Sequence, residues 1–203
     1  MQATPRRKAT SPTITEQARR AQIVAAAITT MSECGYPKAS FAQIVKRAGL
    51  SSTGLISYHF ASKRDLDQAI VADVIGRLGE HMYLALRESV DATAALHNYI
   101  LGLIDFMRVE APSMQALLGV FMNGGFDYTA ESEQQATGGI ADILQRGQAE
   151  GVFRDFDIAV MASTIQRSLD GIPLAQAANP DLDLGTFARE LVDLFTRATR
   201  KDD

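Results

Sequence analysis

The stretch AGLSSTGLISYHFASKRDL, from Ala48 to Leu66, decides the fold that the sequence predicts. Gly49 suits a tight turn after a short helix, and Ser51 or Ser52 can cap the short helix that follows. The apolar residues of that second short helix, which would point back to a core, are Leu55 and Ile56. Two short helices joined around a glycine form a helix-turn-helix, whose second helix enters the major groove of DNA.

Capping signals divide the neighbouring sequence into further helices. The pairs with the spacing of a capping residue and its partner are Thr13 and Glu16, Ser40 and Gln43, and Ser62 and Asp65. The first of these predicts a helix of about twenty residues that stops at Gly35. No segment has the alternating pattern of a strand, so the predicted fold class is all-α.

The residue types at both ends of the recognition helix suit contacts with DNA. The hydroxyls at its start are Ser51, Ser52 and Thr53. They can bond base edges or phosphates, although hydroxyls at helix starts also serve as simple caps. The residues at its far end that can hold phosphates are Tyr58, His59 and Lys63.

The charge is divided unevenly along the chain. Residues 1–64 hold ten Lys and Arg against two acidic residues, so this segment carries +8 and the remainder −12 of a net −4. Phosphate attraction supplies most non-specific affinity for nucleic acid, so a basic start joined to an acidic remainder suggests that only the start meets DNA. An arm with Arg6, Arg7 and Lys8 either reaches the minor groove or is a disordered start, and we expect residues 1–12 to be disordered without DNA.

The order of these features resembles the TetR family of bacterial transcriptional regulators. The resemblance covers about residues 20–70, through the motifs GYPKASFAQIVKRAGLS and YHFASKRDL. The residues that carry it are Gly35, Tyr36, Ser40, Ile44, Ala48, Gly49, Tyr58, Phe60, Lys63 and Leu66. It implies that Ser40 and the start of the recognition helix contact DNA and that Tyr58, His59 and Lys63 hold phosphates. The chain departs from the family pattern in two ways. It has one additional residue between Gly49 and Phe60, and it has Ser57 at a position where an aromatic residue is common.

The predicted domains are a helix-turn-helix domain over residues 1–65 and a helical domain for effector binding and dimerisation over residues 66–203. Two amphipathic helices of the second domain need a partner surface, either on their own chain or on a second subunit. Their apolar residues are Ile158, Ala162, Ile165, Leu169, Phe187, Leu191, Leu194 and Phe195. Because a helix-turn-helix dimer reads paired half-sites about 34 Å apart, and because the resemblance implies a four-helix interface, we predict a homodimer on a palindromic operator in double-stranded DNA.

Methionine and aromatic residues are concentrated in the middle of the chain. At helical spacing such residues are more often plain core than a ligand site. The resemblance nevertheless implies a cavity for a small apolar effector there. The candidate lining residues are Met82, Tyr99, Phe106, Met107, Phe121, Met122, Phe126 and Tyr128. The hypothesis is that the effector moves the fourth helix and changes the spacing of the two recognition helices.

The sequence favours a ligand-responsive repressor over other classes of protein. His59, His81 and His97 lack metal-ligand spacing and no catalytic motif is present, so we expect no enzyme, no metal and no cofactor. Without a run of about eighteen apolar residues or a secretory signal, we expect a cytoplasmic protein and no membrane partner. The alternatives are a DNA-binding regulator without an effector and, less favoured, a helical enzyme.

Overall fold

The computed structural model describes residues 13–127 and 129–201. The predicted all-α fold class is confirmed, with a single 3-10 turn at Tyr36–Lys38. The helices of the described residues are α1 (Ile14–Cys34), α2 (Phe41–Arg47), α3 (Gly54–His59), α4 (Lys63–Leu86), α5 (Ala92–Val109), α6 (Ala111–Met122), α7 (Ala130–Ala149), α8 (Ile158–Asp170), α9 (Ile172–Ala178) and α10 (Leu184–Thr199). The predicted arm, residues 1–12 with Arg6, Arg7 and Lys8, and the predicted effector residue Tyr128 lie outside the described residues. None of the described helices is both long and apolar enough to cross a bilayer.

Side-chain caps begin α1 and α4 as predicted. The Thr13 hydroxyl accepts from the Glu16 backbone N–H at 3.3 Å, while the Glu16 carboxylate accepts from the Thr13 N–H at 2.7 Å. This reciprocal pair satisfies two N–H groups that the first turn of a helix leaves without partners. The Ser62 hydroxyl accepts from the Asp65 N–H at 3.1 Å and caps α4. α1 ends as predicted at Gly35, whose φ of +81° suits a residue without a Cβ.

The start of α2 has only one of the two reciprocal hydrogen bonds of a capping box. The Ser40 hydroxyl accepts from the Gln43 N–H at 3.4 Å, as predicted. The Ser40 N–H donates to the Lys38 carbonyl at 2.8 Å, so the 3-10 turn already satisfies the group that a full capping box would use. α2 is followed by the predicted glycine turn, in which Gly49 has a φ of +64°.

α3 begins without a capping side chain. Thr53 precedes the helix with helical backbone angles, φ −66° and ψ −22°, and its hydroxyl caps no backbone group. The prediction that Ser51 or Ser52 caps this helix is therefore wrong. A capping hydroxyl reaches back from an extended residue, and the residue before α3 is already helical. The predicted inward direction of Ile56 is confirmed by its complete burial.

The first of two hydrophobic cores joins the helix-turn-helix to α4 and α6. Its fully buried side chains in the first four helices include Ile23, Ile44, Ile56, Leu66 and Ile70, together with Phe60 at the end of α3. The same core contains Ala116 and Val120 of α6. Because this core contains residues on both sides of the predicted division at residues 65 and 66, the packing changes within α4 and not at its start.

The second core lies among α5, α7, α8 and α10. α5 belongs to both cores, since Phe106 is buried in the first and the next residue, Met107, is buried in the second. Leu78 of α4 and Met114 of α6 also pack against both. The two cores are therefore joined by shared helices and shared side chains.

Most of the predicted dimer-interface residues lie inside the second core. Those buried by their own chain are Ala162, Ile165, Leu169, Leu191 and Phe195. Ile165 and Leu169 are 0% exposed in the single chain, so their own core covers them, and the predicted contact of this set with a second subunit stays a prediction. Their apolar faces pack on their own chain, which was the other alternative for these helices. Ile158 and Phe187 lie half-buried at the edge of the core, and Leu194 is exposed.

Gly147 permits close packing at the end of α7. A Cβ at this position would overlap the ring of Phe153. We expect Gly147→Ala to lower the free energy of unfolding by about 1–3 kcal/mol because the ring must move. The matched control is Gly138→Ala in the same helix, where a Cβ meets nothing within 4 Å. That change should raise stability by up to about 1 kcal/mol through helix propensity, and urea unfolding of both variants measures the difference. Equal effects of the two substitutions would contradict the packing argument.

Candidate nucleic-acid interface

The residues predicted to contact DNA belong to elements that pack on the first core. Their exposed members are Ser40, Ser51, Ser52, Thr53 and Tyr58. His59 and Lys63 are half-buried. The core side chains beneath them include Ile44, Ile56 and Phe60, so the short helices present their polar residues outward from one apolar base.

The three hydroxyls before α3 are available to a ligand. Ser51, Ser52 and Thr53 are exposed, and their hydroxyl groups form no hydrogen bond with any described residue. This removes the simplest structural explanation for them, which was that they cap helix starts. The Ser40 hydroxyl differs, because its oxygen already accepts from the Gln43 N–H. A hydroxyl in that state still has its proton to donate.

Tyr58 projects from α3 and contacts the start of α1. Its side chain is 73% exposed, and its hydroxyl lies 3.4 Å from a carboxylate oxygen of Glu16. The Thr13 backbone and side chain donate to that carboxylate and, with a smaller effect of Tyr58, keep the pKa of Glu16 below its ordinary value. The rings of Tyr58 and His59 meet edge to face with 5.0 Å between centroids. The side chains of two of the three residues predicted to hold phosphates are therefore in contact.

α1 holds both helices of the helix-turn-helix through polar side chains. The Arg20 guanidinium donates to the His59 carbonyl at the end of α3 and stacks on the Phe60 ring at 4.2 Å from its centroid. The Gln22 amide donates to the Ala48 carbonyl at the end of α2, at 2.6 Å. Arg20 and Gln22 thus fix the ends of α3 and α2 against the same helix. The sequence prediction missed both residues, because their partners are 39 and 26 positions away in the chain.

Lys63 lies against an aromatic ring at the start of α4. Its ammonium nitrogen is 3.8 Å from the centroid of the Tyr36 ring and 3.4 Å from the Tyr36 carbonyl oxygen. The Tyr36 hydroxyl donates to Asp67 of α4 at 2.7 Å. Burial, together with Asp67, raises the pKa of Tyr36 to about 12, so the phenol keeps the proton that it donates.

The other cations of this region differ in how their charges are balanced. Arg47 pairs with Glu33, and Arg64 pairs with Asp127. Lys38 and Lys46 are exposed and form no ion pair within the described part of the chain. Both lysines are therefore further candidates for phosphate contacts. The helix-turn-helix motif did not identify them, but their charges are part of the basic segment over residues 1–64.

The residues predicted to line an effector cavity are not brought together. Tyr99 and Met107 are buried in the second core and Phe106 in the first, with Met82 and Phe126 packed beside them. Phe121 is exposed and meets Phe126 edge to face, and Met122 is 71% exposed. A common cavity for these residues therefore stays a prediction. Helical spacing correctly indicated burial for Tyr99, Phe106 and Met107, which lie in two adjoining cores, but not for Phe121 and Met122.

A shallow groove lies between α4 and α5. Its apolar lining consists of Leu84, Ala85, Leu101 and Gly102. His81, Asn98 and Asp105 complete it. Among the described residues no cluster of side chains is arranged to hold a metal ion.

Comparison with known proteins agrees with the geometry of the first four helices. Residues 23–70 match the model of bacterial regulatory proteins of the tetR family. The HTH-type transcriptional regulator BetI of Serratia proteamaculans is 30% identical over 122 residues, which are 59% of this chain and 61% of that protein. Residues 23–70 of the chain therefore belong to the TetR family. The relatives in that comparison are regulators of transcription, and the chain spans 61% of the length of the Serratia protein and 51% of the BetI protein of Yersinia pestis.

Solved structures extend the similarity in fold to most of the chain. A TetR transcription regulator from Haloarcula marismortui superposes with a TM-score of 0.80, over 91% of this chain and 100% of that one, at 19% identity. The fatty acid degradation regulator FadR from Bacillus halodurans superposes with a TM-score of 0.77, over 88% of this chain and 94% of that one, also at 19% identity. At these identities the similarity describes the fold, in which a helical domain follows the helix-turn-helix.

Arg20 is expected to stabilise the helix-turn-helix. Arg20→Leu removes the guanidinium from the Phe60 ring and from the His59 carbonyl, and should lower the free energy of unfolding by about 1–2 kcal/mol. The adjacent Arg19 is a matched control, since its guanidinium donates to Gln22 of the same helix. Arg19→Leu should change stability by less than about 0.5 kcal/mol. Chemical denaturation measures both, and similar losses would show that Arg20 has no special role.

Proposed function

We propose that this chain is a dimeric transcriptional repressor that binds a palindromic DNA operator and is released from it by a small apolar effector. The operator is bound by the start of α2, by α3 and by the start of α4. Ser51, Ser52 and Thr53 contact bases or phosphates at the start of α3. Tyr58, His59 and Lys63 hold the backbone on either side, where phosphate contacts fix the position of a protein on DNA.

The observation that carries this proposal is the free state of the hydroxyls before α3. The side chains of Ser51, Ser52 and Thr53 are exposed and form no hydrogen bond among the described residues. They lie at the N-terminal end of α3, and in a helix-turn-helix the N-terminal end of the second helix enters the major groove. Short side chains of this kind can donate or accept at base edges. The rigid attachment of α3 to α1 through Arg20 supports the proposal, since a reading helix must be held in a fixed orientation.

The outward faces of α8 and α10 support dimerisation, and they include one of the predicted interface residues, Leu194. Val160 of α8 is 65% exposed and Leu194 of α10 is 55% exposed. Each lies on a helix whose opposite face is buried in the second core, so each helix has an apolar residue left for a partner. Two-fold pairing of such faces gives a closed dimer, as a palindromic operator requires.

The groove between α4 and α5 supports the response to an effector. α4 carries Lys63 in its first turn and Leu84 near its end, so one helix connects the groove to the proposed phosphate contact. Gly102 brings α5 close to α4, because a Cβ there would lie 2.8 Å from the Cβ of Ala85. An apolar molecule that enters between these helices must separate them and thereby displace α4. A ligand that favours the displaced state lowers operator affinity by its differential affinity for the two states.

Selection of bound duplexes from a random pool is the direct test of DNA recognition. We expect the purified protein to recover a palindrome whose half-sites are about one helical turn or a multiple of it apart. Recovery of a non-repeated sequence would contradict the dimer, and recovery of no sequence would contradict specific DNA binding.

The selected operator also separates base contacts from phosphate contacts. Lys63→Ala should weaken binding to operator and unrelated DNA by a similar factor and lower the salt slope by about 0.9 for each protomer bound. Thr53→Ala, a matched loss of one polar side chain, should change the sequence preference and leave that slope unchanged. Fluorescence anisotropy over a series of KCl concentrations measures both quantities. An unchanged slope for Lys63→Ala would contradict its phosphate contact.

A substitution in α5 imitates the proposed effector. Gly102→Ala adds a Cβ against Ala85 and should lower operator affinity without any compound, because it separates α5 from α4. Gly79→Ala on α4 is the control, since its Cβ meets nothing within 4 Å. Thermal-shift and operator-release screens with lipophilic metabolites test the wild type directly. Wild-type operator affinity in folded Gly102→Ala, together with no active compound, would favour a DNA-binding regulator without an effector.

A further inference from the structure

The ammonium group of Lys63 is held in place without a direct ion pair among the described residues. The contacts of its nitrogen are the face of the Tyr36 ring, at 3.8 Å from the centroid, and the Tyr36 carbonyl oxygen at 3.4 Å. Lys63 forms no ion pair with any residue in the described ranges 13–127 and 129–201, whereas the next residue, Arg64, pairs with Asp127. A ring face and a carbonyl attract a cation but carry no net charge, so the charge of Lys63 remains available to an anion.

Tyr36 is itself fixed by a buried carboxyl group. Asp67 is 1% exposed, and one of its oxygens accepts from the Tyr36 hydroxyl at 2.7 Å. Its other oxygen has no hydrogen-bond partner among the described residues. Burial raises the pKa of Asp67, against the opposite effects of the Tyr36 hydrogen bond and of the charges of Lys63 and Arg64. A buried polar group with only one partner is costly, which makes the single bond to Tyr36 important for both side chains.

The space around Tyr36 and Asp67 leaves little freedom for either side chain. A Cβ at Gly119 of α6 would lie 3.0 Å from the Cβ of Tyr36. A Cβ at Gly125 would lie 2.9 Å from the bonded oxygen of Asp67. α6 and the turn after it therefore pack directly against the pair.

We propose that Tyr36 is a positioning residue for Lys63, with its ring and carbonyl holding the ammonium at the start of α4 and with Asp67 holding the ring. The proposal rests on the proposed function, in which Lys63 contacts a DNA phosphate. A lysine has four rotatable side-chain bonds, and ordering them on binding costs entropy. Without the ring, the entropy that Lys63 loses on binding would exceed what one phosphate contact returns, so the contact would not form.

The test is the salt dependence of binding to a fluorescent duplex of random sequence, by the full chain and its variants. Lys63→Met should lower the slope by about 0.9 for each protomer bound, because one phosphate contact is lost. Tyr36→Leu removes the ring and should lower the slope to the same value. The double variant should be no lower than either single variant, since both changes remove one contact. A wild-type slope in Tyr36→Leu, or additive losses in the double variant, would overturn the proposal.

Tyr36→Phe is the matched control because it keeps the ring and removes only the hydroxyl. It should keep the wild-type salt slope while its thermal stability falls, since Asp67 loses its donor. A fall in slope equal to that of Tyr36→Leu would overturn the role of the ring. The control thus separates the position of Lys63 from general stability.

Proton NMR keeps the proposal testable if Tyr36→Leu does not fold. The ε-methylene protons of Lys63, assigned with Lys63→Met, should lie upfield of those of the other lysines in wild type and in Tyr36→Phe, because they are close to a ring face. A Lys63 signal among the other lysines would overturn the proposal. If wild type and Lys63→Met have the same salt slope, the proposed phosphate contact fails, and the NMR signal still reports separately whether Tyr36 holds Lys63.

Discussion

The orientation of α3 depends on one guanidinium group from α1. α3 has six residues and no capping side chain, and a helix of that length is not stable alone in water. Ile56 and Phe60 attach one face of it to the first core, and Arg20 holds its last carbonyl while covering the Phe60 ring. Because Gln22 holds the end of α2 in the same way, α1 determines the angle between the two helices. The positions of the proposed DNA contacts on α2 and α3 therefore depend on how α1 holds these two helices.

Local signals in the sequence predicted the helix starts that depend on neighbouring residues. The capping pair of Thr13 and Glu16 acts within one helical turn, so its spacing is sufficient to predict it. Arg20 and Tyr36 are different, because their partners lie 39 and 31 positions away and are brought close only by packing. No periodic pattern marks such pairs. The candidate interface was therefore predictable in its exposed residues but not in the side chains that hold them.

Amphipathic spacing predicted which faces are buried but not what buries them. Ile165 and Leu169 have the spacing expected of an apolar interface stripe, yet they pack in the core with α5 and α7 of their own chain. A helix in the outer layer of a domain needs such a stripe to join its own core, whether or not a second subunit is present. The same limit applies to Phe106 and Met107, adjacent in sequence and buried in different cores. Hydrophobicity alone does not distinguish a core, an interface and a ligand site.

The shared helix α5 has a consequence for how the protein unfolds. Phe106 and Met107 anchor α5 in both cores, and Leu78 and Met114 contact both, so neither core can open without exposing apolar surface of the other. Cooperative units follow such contacts and not the limits of a sequence motif. The helix-turn-helix is then not an autonomous folding unit, since a fragment that ended at residue 65 would lack Leu66, Ile70 and Val120 from its core. Melting of the part proposed to bind DNA is thereby linked to melting of the part proposed to sense an effector.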